Sequence, residues 1–203
     1  MATQLQTGVE GLRLWKGWLT PDAQAQMVET VRTIVRQAPL TRHVTPGGKR
    51  MGVRMTCAGA LGWVSDRTGY RYQAHHPAGM AWPPIPEPIQ EIWRQASGVS
   101  RAPDCCLVNF YGEGVKMGLH QDSDEADLSW PVLSISLGDP ALFRIGGTER
   151  GGKTQSLWLE SGDVLVMSGP ARLRYHGIDR IRFGASTLLS EGGRVNLTLR
   201  VAG

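Results

Sequence analysis

Along residues 20–39, TPDAQAQMVETVRTIVRQAP, the apolar positions Met27, Val31, Ile34 and Val35 recur at helical spacing with polar residues between them. Thr20 offers an N-cap oxygen, Pro21 suits the first helical position, and Pro39 follows the end of the run. The pattern predicts a helix packed against a sheet. Residues 40–80 read differently: Arg, Met and aromatic residues mix with glycine turns, as short hairpins would. WPPIPEP (82–88) reads as an extended connection, and PIQEIWRQASG (88–98) as a second short helix ending at glycine.

From about residue 104 the pattern becomes that of strands. DCCLVNFYG, VLSISLG, ALFRIGG, TQSLWLE, DVLVMSG, LRYHGI and RVNLTLRVA are short apolar runs separated by turn residues. Runs of this kind predict a sandwich or barrel, so the expected class is mainly β with flanking helices. No repeat, low-complexity segment or flexible linker interrupts the chain.

Length and composition narrow the picture. A chain of 203 residues suits one domain and buries roughly 70% of its unfolded surface without disulfides. Three cysteines, two of them adjacent (Cys105, Cys106), make no disulfide framework and fit a reducing compartment. No apolar run approaches the ~20 residues of a membrane span, and MATQLQTGVEG has no signal-peptide character. The expectation is a soluble, cytoplasmic monomer without membrane contact. A net charge of +4 and a pI near 9.2 point weakly to a polyanionic partner.

The chemistry gathers around NFYGEGVKMGLHQDSDEADL (109–128). His120 and Asp122 stand two apart, and on extended backbone two such side chains point the same way. His176, 54 positions beyond Asp122, stands on a late strand that a jelly roll brings beside an early one. Two imidazoles and one carboxylate on one face leave open positions on a metal ion, the arrangement that selects non-haem Fe(II) for oxygen chemistry. A structural zinc site would call for four ligands, usually including thiolates, and no Cys-x-x-Cys is present. On the last strand Arg194, Asn196, Thr198 and Arg200 share one parity, with Leu197, Leu199 and Val201 on the other. Two guanidiniums turned into a barrel are costly unless they meet anions, and a dicarboxylate co-substrate would accept both. Asn109 and Tyr111, again two apart, could line the same pocket.

LVNFYGEGVKMGLHQDSDEADL, PVLSISLGDPALFRIGG, LESGDVLVMSGPARLRYHGI and RVNLTLRVAG closely resemble the AlkB family of Fe(II)/2-oxoglutarate-dependent nucleic-acid demethylases, over nearly the whole chain. The resemblance implies a double-stranded β-helix (jelly roll) with an N-terminal nucleotide-recognition lid. It divides one structural domain, 1–203, into helices and lid over 1–100 and a dioxygenase core over 101–203. It implies iron on His120, Asp122 and His176, and 2-oxoglutarate on Asn109, Tyr111, Arg194, Asn196 and Arg200, with O2 as the other co-substrate. Of the two arginines it puts Arg194 on the remote carboxylate and Arg200 nearer the iron. Trp63 matches a tryptophan that stacks on the damaged base opposite His176, Tyr70 and Tyr72 match residues that touch phosphates, and Asp124 and Arg150 match further substrate contacts. The implied partner is alkylated single- or double-stranded DNA, with RNA as an alternative. The implied reaction is oxidative demethylation of N1-methyladenine and N3-methylcytosine. A same-fold dioxygenase acting on protein or a small molecule, and a nucleic-acid binder without turnover, are the rival readings. The chain departs from the resemblance at Met167, where a bacterial member carries tryptophan, and in a loop before Arg194 that is one residue longer. The stretch 41–55 matches only in part.

Overall fold

The computed structural model describes residues 2–203. In chain order its elements are β1 (Thr3–Leu5), β2 (Leu12–Lys16), α1 (Pro21–Gln37), β3 (Arg54–Gly59), β4 (Gly62–Asp66), β5 (Gly69–Gln73) and α2 (Glu87–Ala96). There follow β6 (Cys105–Tyr111), β7 (Met117–His120), β8 (Val132–Gly138), β9 (Ala141–Ile145), β10 (Gln155–Leu159), β11 (Val164–Met167), a 3-10 turn (Gly169–Ala171), β12 (His176–Ile181) and β13 (Arg194–Arg200).

A seven-stranded sheet, β1-β2-β11-β8-β13-β6-β3, faces a four-stranded one, β10-β9-β12-β7, and every pairing is antiparallel. This is the expected jelly roll. The hairpin β4–β5 forms a separate two-stranded layer. Among the described residues no helix is long and apolar enough to cross a membrane.

The strands' two parities build two cores. Val164 and Val166 of β11 and Val195, Leu197 and Leu199 of β13 join Met27, Val31 and Ile34 of α1 and Ile89 and Trp93 of α2. The opposite parity, with Leu165, Met167, Leu107 and Tyr111, joins Phe143, Ile145 and Ile178 of the small sheet. The helices therefore cover the outside of the large sheet, and the inter-sheet space is left for chemistry. α1 starts where its cap predicts: Thr20 Oγ1 accepts from Ala23 N at 3.3 Å, a contact of the kind that contributes about 1 kcal/mol.

Three strands lie outside the sequence-based expectation: β1, β2 and β7. β1, β2 and β3 belong to the large sheet, so the core does not begin near residue 101 but reaches back into the first segment. α2 begins at Glu87 and ends at Ala96, inside the expected 88–98 at its C-terminal end. The run LRYHGI enters its strand only at His176, because Gly169–Ala171 turn the chain first.

Candidate active site

His120 closes β7 and His176 opens β12, and the two are directly paired across the antiparallel ladder. Their ring centroids are 4.7 Å apart. Asp122 stands two residues past the end of β7. Its Oδ1 is 3.7 Å from His120 Nε2, and its Oδ2 is 3.7 Å from His176 Nε2. Close approach of β7 and β12 depends on Gly177: a Cβ there would fall 2.6 Å from the Met117 carbonyl and 2.7 Å from that of Gly118. Such spacing forces the strands apart, so only glycine lets the two imidazoles converge.

These three side chains offer ligand atoms within 4.8 Å of one another, and no fourth His, Cys, Asp or Glu joins them among the described residues. Each imidazole is held for the task. Nδ1 of His120 lies 2.9 Å from Gly118 O, and Nδ1 of His176 lies 3.0 Å from Arg174 O. Donation from Nδ1–H to a carbonyl places the lone pair on Nε2, facing the carboxylate. Burial pushes His176 down to about pH 4, against the opposing pull of Asp122, so its ring is neutral near pH 7. Burial works against the Asp122 carboxylate, but Arg200 and the imidazoles outweigh it and hold the acid well below the usual range. Two imidazole nitrogens and a carboxylate oxygen make a donor set that fits a divalent first-row metal.

The triad lies on the wall of a cavity of about 560 Å³. Asn109, Tyr111, Asn196 and Arg200 line it, as do Trp63, Tyr70, Tyr72, Asp124 and Arg150. Arg194 does not line it. It is fully buried beside Tyr111 in the ladder; Nη2 donates to Ser136 Oγ at 2.8 Å, and Nε and Nη1 have no acceptor. Burial pushes its guanidinium down to about 10. The Asn109 Oδ1 atom is likewise buried without a partner. A buried cation beside the cavity with two nitrogens unpaired fits a carboxylate-bearing ligand that supplies the missing charge. Arg200 sits elsewhere, with Nη2 2.8 Å from Asp122 Oδ1. The final strand thus carries one arginine at the metal-side carboxylate and one at the far end.

At the mouth, Trp63 stacks on Tyr70 with centroids 5.6 Å apart and planes 17° apart, and its Nε1 donates to Asp124 Oδ2 at 2.8 Å. Tyr70 is 48% exposed. Tyr72 is turned inward: its hydroxyl donates to Glu125 Oε1 at 2.6 Å and accepts from Arg200 Nη1 at 3.4 Å, so this phenol does not face outward toward a phosphate. Arg150 lies over the ring of Tyr175, 5.3 Å from its centroid. Met167 is buried and lines the cavity.

Sequence reasoning missed four residues here. Glu125 is buried between Arg172 and Arg200. Arg172 reaches across to the Asp122 segment. Gln121 Nε2 donates to Thr148 O and Leu173 O, and Ser134 Oγ donates to Asn196 Oδ1. Only Ser134 carried a usable signal: it shares inward parity with Ser136 on a strand otherwise apolar.

A two-sheet antiparallel barrel with two histidines and an aspartate opening onto its interior defines the class of non-haem iron oxygenases. Residues 11–200 match the 2OG-Fe(II) oxygenase superfamily. The chain is 52% identical over 197 residues to an alpha-ketoglutarate-dependent dioxygenase AlkB homolog of Caulobacter vibrioides, covering 97% of this chain and 90% of that protein. It is 41% identical over 187 residues to the alpha-ketoglutarate-dependent dioxygenase AlkB of Escherichia coli, covering 90% and 86%. The solved structure of OsALKBH1 superposes with a TM-score of 0.79 at 32% identity, covering 94% of this chain and 97% of that one. The chain belongs to the AlkB family of Fe(II)/2-oxoglutarate-dependent dioxygenases, and its cofactors are Fe(II), 2-oxoglutarate and O2.

Proposed function

We propose that a single chain removes methyl groups from N1-methyladenine and N3-methylcytosine in DNA, and in RNA of the same lesion, by direct reversal. The observation that carries the reading is one cavity with the His120–Asp122–His176 group on its wall and a stacked Trp63–Tyr70 pair at its mouth. When bound, the iron and 2-oxoglutarate supply oxidation of an N-methyl C–H bond by O2, yielding succinate, carbon dioxide and, after the hemiaminal collapses, formaldehyde. His120, Asp122 and His176 hold the metal. Asn109, Tyr111, Arg194, Asn196 and Arg200 receive 2-oxoglutarate, with Arg194 at the remote carboxylate. Trp63 takes one face of the extruded base and the His176 side of the cavity the other. The target methyl is unreachable inside a duplex, so the base must leave the stack. Asp124, fixed by the Trp63 indole, sets a negative charge beside a base that methylation has made cationic.

Charge distribution supports a polyanionic substrate. Residues 40–80 hold six basic residues, Arg42, Lys49, Arg50, Arg54, Arg67 and Arg71, against one acid, Asp66. That excess is greater than the +4 of the whole chain, so the rest of the molecule is slightly acidic. Arg71 pairs with Asp66 at 2.8 Å, and the other five have no acidic partner among the described residues. The same segment carries Trp63 and Tyr70, and a basic segment bearing an aromatic platform suits a phosphate backbone.

Mass spectrometry of oligonucleotides carrying each lesion, incubated with protein, Fe(II) and 2-oxoglutarate, tests the reading, with His120→Ala as control. Loss of one methyl mass per lesion, with succinate release stimulated by methylated oligonucleotide, is expected. Succinate release stimulated by a peptide and not by the oligonucleotide would sink it.

A further inference from the structure

The segment 121–131 carries Asp122 yet lies outside every strand and helix. One backbone bond, Ala126 N to Ala202 O at 3.0 Å, ties it to the C-terminal segment. Arg172, which directly follows the 3-10 turn and is 3% exposed, ties this segment at more points than any other side chain. All three guanidinium nitrogens are spent on this segment. Nη1 donates to the Asp122 carbonyl at 2.5 Å, Nη2 to Glu125 Oε2 at 3.0 Å, and Nε to the Trp130 carbonyl at 2.8 Å. The contacts fall at the beginning, middle and end of the loop. A planar fork with fixed donor directions suits this role, and a lysine, with one nitrogen, cannot span the three acceptors.

Asp122 is therefore held twice. Arg200 fixes its carboxylate at 2.8 Å, and Arg172 fixes its backbone at 2.5 Å. The two clamps share Glu125, whose Oε2 meets Arg172 at 3.0 Å and whose Oε1 lies 3.2 Å from Arg200 Nε. Two buried acids and two buried guanidiniums balance, so the charges around Asp122 are compensated without a metal ion. A loop without the staple would visit the metal-competent position only part of the time, and affinity would fall by that fraction.

We infer that Arg172 is a positioning residue for the metal carboxylate, setting metal affinity through the backbone of Asp122 without touching the ion. The inference rests on the reading that His120, Asp122 and His176 hold the metal. The test is calorimetric titration of the metal-free full-length protein with Co(II), at saturating 2-oxoglutarate, alongside the visible spectrum of the Co(II) complex. Arg172→Gln is expected to bind Co(II) 10- to 100-fold more weakly, the range found when groups that orient metal ligands are removed. Arg172→Lys keeps the charge against Glu125 and should lose less, with a shifted spectrum that reports an altered carboxylate. His176→Ala separates the two levels of argument. If it loses Co(II) while both folded Arg172 variants bind within twofold of wild type, the inference is wrong and the metal reading stands. If His176→Ala binds as wild type does, the metal reading itself fails. Failure of both Arg172 variants to fold as metal-free proteins would make Arg172 a purely structural residue and overturn the inference.

Discussion

Arg200 Nη2 lies 2.8 Å from Oδ1 of Asp122, with both side chains less than a tenth exposed. The pair belongs to a buried set with Glu125 and Arg172 in which two positive and two negative charges compensate. Removing one cation leaves two carboxylates facing one guanidinium. Stranding a buried charge in this way costs about 3–5 kcal/mol. Arg200→Gln should therefore destabilise the metal-free protein by about that much in urea unfolding. A bound divalent cation supplies positive charge next to Asp122, so added Co(II) should narrow the gap between variant and wild type. An equal cost with and without metal would argue that Arg200 is not offsetting the carboxylate's charge.

His176 makes folding stability pH-dependent in a defined direction. Burial lowers it from 6.5 to about 4, so in that interval the unfolded chain binds a proton that the folded protein refuses. The shift costs the fold nothing above pH 6.5, and the penalty grows as pH falls toward 4, with a ceiling of about 3 kcal/mol. His43, also lowered by burial, acts with the same sign. Thermal melts of metal-free wild type and His176→Gln across pH 4 to 7.5 separate the two. The variant should melt with a shallower slope below pH 6.5; parallel curves would remove His176 from the account.

Much of the site was legible because its geometry is written in period two. Arg194, Asn196, Thr198 and Arg200 share a parity, and the ladder sends that parity inward while Val195, Leu197 and Leu199 pack under the helices. The strand lies between β8 and β6 inside the large sheet, so both of its edges are paired and its inward face is held against the cavity. β2 was missed although Leu12 and Leu14 alternate with Arg13 and Trp15, because five residues before a strong helix signal give little contrast. β7 was missed because MGLH carries too few apolar residues to register. Glu125 and Arg172 were illegible for a different reason. Nothing local distinguishes the third acid of DSDEAD from Asp124 and Asp127; only the fold, by bringing Arg172 against it, buries Glu125 and leaves those two exposed.

Arg194 is predicted to harm the empty protein and serve the loaded one. Its Nε and Nη1 are buried without acceptors, and burial pushes the guanidinium down to about 10. An apolar side chain of similar length removes an uncompensated charge, so Arg194→Met should melt at or above the wild-type temperature when 2-oxoglutarate is absent. The same change deletes the cation proposed for the remote carboxylate. The KM for 2-oxoglutarate should rise by about two orders of magnitude, which corresponds to roughly 3 kcal/mol for a charge-assisted pair. With metal present throughout, adding 2-oxoglutarate should stabilise wild type against heat and leave Arg194→Met nearly unmoved. A variant that melts well below wild type yet keeps its KM would mean that the guanidinium is structural.

Trp63 and Asp124 divide base recognition between stacking and charge, and substitutions separate them. The indole Nε1 donates to Asp124 Oδ2 at 2.8 Å while the ring stacks on Tyr70. Trp63→Ala removes the platform and should weaken methylated-oligonucleotide binding by about 1–3 kcal/mol, irrespective of the base. Asp124→Asn keeps an oxygen for the indole to donate to, so the platform stays in place. What it removes is the negative charge, and with it the advantage of a cationic lesion over a neutral one. N1-methyladenine and N3-methylcytosine carry the positive charge; N1-methylguanine and N3-methylthymine do not. The ratio of kcat/KM for charged over neutral lesions should therefore fall in Asp124→Asn and hold in Trp63→Phe, even as both lose overall efficiency. Competition assays with mixed-lesion oligonucleotides measure that ratio directly. An unchanged ratio in Asp124→Asn would leave Asp124 with no role beyond orienting the indole.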